Sequence, residues 1–238
     1  ILAGLGVVWL LAALVMVALW FLQRRTGNAG IVDVGWAAGI GGAAILLALM
    51  LDGDPVRRLL AGLMGGIWGI RLAYHIHHRS HGKPEDGRYQ QLRREWGDQV
   101  QSRMFRFYQI QAFTVAFLAL PFALAAHHGH APGLTDALTL ALWLIAVAGE
   151  SLADAQLAAF KRSGAPPGSV CQRGLWRYSR HPNYFFEWLN WCAFALLASS
   201  ASGGWLALLA PASILYLLLR VTGIPATEAQ AVRSKGDA

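Results

Sequence analysis

Charge is scarce in this chain. Asp, Glu, Lys and Arg make up 14% of its 238 residues, hydrophobic residues make up 55%, and residues 1–22 carry no charge. A soluble domain carries about 25% charged residues, so a water-exposed globule is excluded. Cysteine is nearly absent. Cys171 and Cys192 have neither CxxC nor zinc-ligand spacing, which excludes a thiolate metal centre, and Cys171 is expected as a free thiol. His127, His128 and His130 lack a neighbouring carboxylate cluster, so they read as loop histidines and no metal site is expected. No low-complexity linker interrupts the sequence, and one domain over residues 1–238 is expected.

What is present is a series of long apolar runs. A helix of about 20 apolar residues crosses the hydrocarbon core of a bilayer. Such runs lie near 1–22, 31–51, 59–78, 107–126, 134–156, 183–200 and 203–222. The expected fold is therefore all-α, a polytopic membrane bundle of about seven transmembrane helices. The first run has neither a basic start nor a small-residue cleavage site, so it reads as a span and not a signal peptide. The chain starts at Ile1 and not Met, so a trimmed N-terminus is expected.

The net charge of +7 does not point to nucleic acid, because the basic residues segregate between loops. With seven spans, one side receives Arg24, Arg25, the basic loops 79–106 and 161–182, and Arg233 and Lys235 of the tail. The other side receives only Arg57 and Arg58. The positive-inside rule then places the first side in the cytosol and the N-terminus outside.

Small residues recur at helix-packing spacing: Gly35 and Gly39, Gly62 and Gly66, Gly65 and Gly69. The run "GIGGAA" at 39–44 satisfies a loose GxGxxA. It lies inside an apolar helix with no strand before it, so it is not read as a dinucleotide fingerprint.

Ionisable residues within spans are costly, about 2.5–3.5 kcal/mol each at the helix centre on insertion scales. Here they fall on faces. Glu150, Asp154, Leu157 and Lys161 share one helix face, Trp68, Arg71, His75 and His78 another, and Asn183, Glu187 and Asn190 a third. Arg220 and Glu228 lie near the end of the seventh run. All of these fall toward the basic side, which points to a polar cavity open to the cytosol. Its surplus of Arg, Lys and His suits an anionic, phosphate-bearing ligand. In "RYSRHPNYFFEW" (177–188), Pro182 suits the first turn of a helix whose N-terminus attracts anions. Arg177, Arg180 and His181 add positive charge beside it, and Asn183 and Glu187 face inward as directional hydrogen-bonding groups.

These stretches resemble the steroid 5α-reductase-like integral membrane reductases, the 3-oxo-5α-steroid 4-dehydrogenase C-terminal family. The resemblance runs through "IVDVGW" (31–36), "RLAYHIHHR" (71–79), "EDGRY" (85–89), "ESLADAQLAAFK" (150–161), "GLWRYSRHPNYFFEW" (174–188) and "GIPATE" (223–228). It implies a seven-helix enzyme that holds NADPH in a cytosol-facing pocket and reduces an activated C=C bond of a steroid-like or other lipid entering from the bilayer. By position along the family's motifs, Glu150, Asp154 and Lys161 would contact the cofactor from the fifth helix. Tyr178, Asn183 and Glu187 would do so from the loop and sixth helix, Arg220 and Glu228 from the seventh, and Arg71, His75 and Arg79 from the third. Where the steroid reductases polarise the substrate ketone with a Glu and a Tyr, this chain offers Asp33 and Trp36, then Trp68, with Tyr74 further on. Asp33 is the expected proton donor, as an acid in an apolar segment. The family usually continues with a Tyr-rich tail where this chain ends in "RSKGDA".

Two other readings fit part of the pattern. "RHPNY" also occurs in membrane methyltransferases of the isoprenylcysteine and phospholipid type, which use S-adenosylmethionine. A non-catalytic transporter would explain polar faces without a cofactor, but its sites are often built on broken helices, and no apolar run here is expected to break.

Overall fold

A computed structural model describes residues 1–164, 166, 169–225 and 227–229, and among these every regular element is helical. Arg233 and Lys235 lie outside the described residues. Six helical segments are long and apolar enough to cross a membrane: Leu2–Thr26, Ile31–Met50, Pro55–Ser80, Gly87–His127, Leu134–Arg162 and Gly204–Val221. The protein is thus an all-α polytopic membrane protein. The sixth of the seven expected spans is present as a helix, Pro182–Ala198, but has only 17 residues. At about 1.5 Å per residue it falls short of a hydrocarbon core about 30 Å thick.

The chain divides into two compact units, Ile1–Pro132 with Leu197–Ala207, and Gly133–Leu196 with the chain from Leu208 onward. The first unit is built on α1 (Leu2–Thr26), α2 (Ile31–Met50) and α3 (Pro55–Ser80), followed by α4 (Gly87–Trp96), α5 (Val100–Leu118) and α6 (Leu120–His127). Helix α1 stops at Gly27, whose left-handed φ of 70° lets its N–H close back on the Gln23 carbonyl. Pro55 opens α3, and the Asp54 carboxylate accepts the Val56 and Arg57 N–H groups, satisfying two free donors of that helix start.

Helices α2 and α3 meet backbone to backbone. A Cβ on Gly69 would stand 2.6 Å from the Gly41 Cα and 2.8 Å from the Ala37 carbonyl oxygen. A Cβ on Gly65 would collide with the Ala44 side chain and the Phe122 ring. The glycine spacing read from the sequence therefore serves close helix approach, as expected. Gly69→Ala should force the helices apart at a cost of about 1–3 kcal/mol, lowering the thermal midpoint in detergent by several degrees. Gly42→Ala, with no atom within 4 Å of the new methyl, should leave the midpoint unchanged or raised. Equal midpoints for the two variants would contradict this packing.

The expected unbroken run at 107–126 is divided. Helix α5 ends at Leu118 and α6 begins at Leu120, with Pro121 in its first turn. Proline lacks the N–H needed inside a helix and clashes with the preceding turn, which accounts for the break. In the second unit, α7 (Leu134–Arg162) and α8 (Pro182–Ala198) are joined through a short 3-10 turn at Gly174–Arg177. The last apolar segment is composite as well: a 3-10 turn at Gly204–Leu208, α9 (Leu209–Tyr216), then a π-turn at Leu217–Val221. The expectation of uninterrupted spans therefore fails at two places.

Candidate functional site

In the second unit the acidic face of α7 meets the amide face of α8. Glu150 is buried at 4% exposure, and its Oε2 accepts from Asn190 Nδ2 at 3.3 Å. One turn further along α7, Asp154 Oδ1 accepts from Asn183 Nδ2 at 3.5 Å. Glu187, between the two asparagines, accepts the Trp191 indole N–H at 2.9 Å. The approach requires Gly149, because a Cβ there would run into the Phe186 ring. The turn before α8 is pinned to α7 as well. Trp176 Nε1 donates to the Ala153 carbonyl at 2.8 Å, and Leu175 N–H donates to Gln156 Oε1 at 2.9 Å. Gly174 allows this turn with its φ of 57°, at a place where a Cβ would meet the Gln156 amide.

Pro182 opens α8, as its sequence position predicts. Glu228 lies beside this helix start, with its Oε1 3.4 Å from His181 Nε2 and 3.9 Å from Arg180 Nη1. The His181 ring stacks on Tyr184 at 5.2 Å, and the Tyr184 hydroxyl is 2.8 Å from Thr227 Oγ1. Arg180 is 85% exposed and Arg177 is also exposed, so cationic groups stand at the open end of the cluster. Arg220 falls in the π-turn, where Thr222 N–H reaches back five residues to the Leu217 carbonyl. Such turns re-aim side chains and recur at functional sites. Lys161 lies in the last turn of α7. Tyr178 is 85% exposed, and the structure does not bring its ring into the cluster.

One acceptor of the polar set is left unpaired. Asn190 is fully buried, and both Nδ2 contacts, to Glu150 and to the Phe186 carbonyl, fix which way its amide points. Its Oδ1 is left as a buried acceptor with no hydrogen-bond partner among the described residues. A carboxamide N–H, such as a nicotinamide carries, is a donor that suits such an acceptor chemically. The exposed guanidinium groups of Arg177 and Arg180 match the phosphates of the same cofactor.

In the first unit Asp33 is held by two side chains of α4. Its Oδ1 accepts from the Tyr89 hydroxyl at 2.7 Å, and its Oδ2 lies 3.3 Å from Arg88 Nη2. The segment after α3 folds back and carries both partners in α4. Arg88 also pairs with Asp86 at 3.1 Å. Burial works to raise the Asp86 carboxyl, but hydrogen bonds from the Arg88 side chain and backbone and its positive charge outweigh it, holding the carboxyl below its ordinary value. Trp36 donates its indole N–H to Thr114 Oγ1 at 3.0 Å, and Trp68, fully buried, meets its ring edge-on at 6.4 Å. Arg71, His75 and Arg79 lie along the last turns of α3.

The profile of a family described as proteins of unknown function (DUF1295) matches residues 19–238. The chain belongs to the DUF1295 family. None of the curated proteins and none of the solved structures matches it. The DUF1295 match spans both units, and so includes the paired carboxylates of each.

What sequence reasoning missed in this DUF1295 member is the pairing of Asp33 with Tyr89 and Arg88, more than fifty positions away. "EDGRY" (85–89) was the available signal, and four of its residues, Arg88 among them, prove structural or site-forming. Glu85 anchors the α1–α2 turn: its Oε1 accepts the Ala29 N–H at 2.6 Å, while Arg93 Nε bonds Oε2 at 2.8 Å. Asp86 caps α4 by accepting the Arg88 N–H at 2.9 Å. Tyr89 holds Asp33.

Proposed function

We propose that this protein is a membrane oxidoreductase that uses NADPH to reduce an activated C=C bond, as in an enone, of a steroid-like or other lipid substrate. The reading rests on one observation above the rest: the carboxylate–amide pairs of α7 and α8, with an unfilled Asn190 acceptor, beside exposed guanidinium groups. A polyphosphate dinucleotide with a carboxamide suits that combination. S-adenosylmethionine, a sulfonium cation without phosphate, leaves the guanidinium groups unexplained. The resemblance to the steroid 5α-reductase-like reductases supports the same reading through "ESLADAQLAAFK" and "GLWRYSRHPNYFFEW".

Bound NADPH would supply a hydride to the electrophilic carbon of the substrate. The chain's own groups then have two tasks. In the second unit, Arg180 and His181 attract phosphate, while Asp154, Asn183, Glu187 and Asn190 orient the cofactor. Lys161, Arg220 and Glu228 belong to the same proposed task, and the resemblance assigns cofactor contacts to Arg71, His75 and Arg79 of α3. In the first unit, the proton held between Tyr89 Oη and Asp33 Oδ1 meets the enolate oxygen that develops on the substrate, and Arg88 fixes that pair. Trp36, one turn along α2 from Asp33, and Trp68, in edge-on contact with Trp36, are the aromatic groups assigned to the substrate side in this reading. The segregation of loop charges supports cofactor residues in the cytosol and an N-terminus outside.

The test is ligand-dependent thermal stability of the detergent-purified chain. A ligand that binds only the folded state stabilises it by about 2.7 kcal/mol at 100 times its Kd. NADPH is expected to raise the midpoint by several degrees and S-adenosylmethionine to leave it in place. The reverse result would favour the methyltransferase. A response to neither would favour the transporter, a reading that the divided fourth and last spans keep in play.

A further inference from the structure

The last turns of α1 and the first turns of α5 lie side by side, since Trp20 Nε1 donates to the Gln101 carbonyl at 3.2 Å and Gln23 Nε2 donates to Gln101 Oε1 at 2.9 Å. Between them an open groove of about 580 Å³ is lined by Trp20, Arg24, Gln101, Ser102, Phe105 and Arg106. Its aromatic walls are preset. The Trp20 indole is held by its hydrogen bond and meets Phe105 edge-on at 5.3 Å. The Arg24 guanidinium lies 4.8 Å over the Trp20 ring, so its planar fork is held at the groove while its edges stay available. Arg24 and Arg106 are both exposed, and neither pairs with a carboxylate among the described residues. Among the described residues no acidic side chain lines the groove.

We propose that this groove is a headgroup site for an anionic phospholipid of the surrounding bilayer. It goes beyond the proposed reductase activity and does not depend on it. Two guanidinium groups without internal counter-charges call for an anion, and a phosphate accepts from both in bidentate fashion. The aromatic walls call for hydrocarbon on the same molecule. The neighbouring side chains continue that apolar surface outward, with Phe21 52% and Leu22 42% exposed on the final turns of a span. Trp beside Arg at a helix end also marks the membrane–water boundary, where a lipid phosphate resides. A soluble phosphate would satisfy the arginines alone. A phospholipid satisfies both halves of the groove.

The experiment titrates the detergent-purified full chain with phosphatidylglycerol, phosphatidylcholine or glycerol 3-phosphate and follows the thermal midpoint. Phosphatidylglycerol is expected to raise it at about tenfold lower concentration than phosphatidylcholine. In the double variant Arg24→Ala/Arg106→Ala, the half-saturating phosphatidylglycerol concentration should rise on the order of tenfold, with the phosphatidylcholine response unchanged. Arg94→Ala, an exposed charge removed elsewhere, should titrate like the parent. If the alanine pair does not fold, Arg24→Lys/Arg106→Lys keeps the charges while losing the planar forks, and a several-fold weakening is expected. A variant pair that titrates like the parent overturns the site. So does an equal loss in Arg94→Ala, which would mean diffuse attraction, or a full response to glycerol 3-phosphate, which would mean a soluble anion.

Discussion

Asp33→Asn is expected to lower NADPH-dependent reduction of an enone lipid by about 100-fold or more, while leaving NADPH binding close to that of the parent. General acid assistance contributes about 10²–10⁴-fold, and the Asp33–Tyr89 pair is the candidate source of that proton in the proposed reaction. Asparagine keeps the size of the side chain and can still accept from Tyr89 Oη, now 2.7 Å from Asp33 Oδ1. It cannot carry the negative charge that faces Arg88 at 3.3 Å. Tyr89→Phe asks the complementary question, removing the hydroxyl and leaving the carboxylate with Arg88. If the pair acts as a unit, each single variant and the double variant should lose similar activity, because groups that work together are not additive. A structural role predicts a different pattern. The thermal midpoint would fall in step with activity, and NADPH titration would weaken in proportion to the unfolded fraction. Unchanged turnover in Asp33→Asn removes the residue from the mechanism.

That prediction shows where sequence reasoning stops. The helical architecture was legible because long apolar runs leave few alternatives in a bilayer. The glycine spacing on α3 marked Gly69, which meets Gly41 of α2, whereas Gly35 and Gly39 of the α2 pair face Leu19 and Val115. The Glu150–Asp154 and Asn183–Glu187–Asn190 faces were legible for a similar reason. Helical periodicity alone places such residues in register, and α7 and α8 do pair them. Asp33 was legible as a candidate but its contacts were not, because the fold-back of residues 81–96 leaves no periodic trace. Its partners sit in a polar amphipathic helix, and the path that brings Arg88 and Tyr89 to α2 is set by local caps at Asp86 and Glu85. The two helix interruptions differ in how visible they were. Pro121 was present in the sequence as a breaker, yet the hydropathy of the run concealed it. The π-turn at Leu217–Val221 has no composition signal, since one extra residue per turn changes backbone pairing without changing apolar content.

Asn183→Ala and Glu187→Ala are each expected to weaken NADPH binding by about 10-fold or more, within the range for hydrogen bonds that involve a charged partner, about 1.5–3 kcal/mol. Both residues lie within the first two turns of α8, next to the cationic groups at its start. Their present contacts separate the two cases. Asn183 reaches Asp154 at 3.5 Å, a long hydrogen bond that leaves the amide able to turn toward a ligand. Glu187 accepts the Trp191 indole N–H through Oε1, which fixes the carboxylate along the inner face of α8. Glu187→Gln preserves a carbonyl acceptor for Trp191 and removes the charge. It should therefore keep the thermal midpoint of the parent while losing part of the NADPH affinity, which a purely structural glutamate would not do. Asn190→Asp tests the same wall from the buried end. It exchanges the amide that donates to Glu150 for a second carboxylate, and like charges at that separation repel, so both stability and NADPH affinity should fall. Normal NADPH titration in Asn183→Ala and Glu187→Ala together would remove α8 from the cofactor site. The acid–amide pairs would then be interhelical packing contacts, and the basic turn before Pro182 would need another ligand.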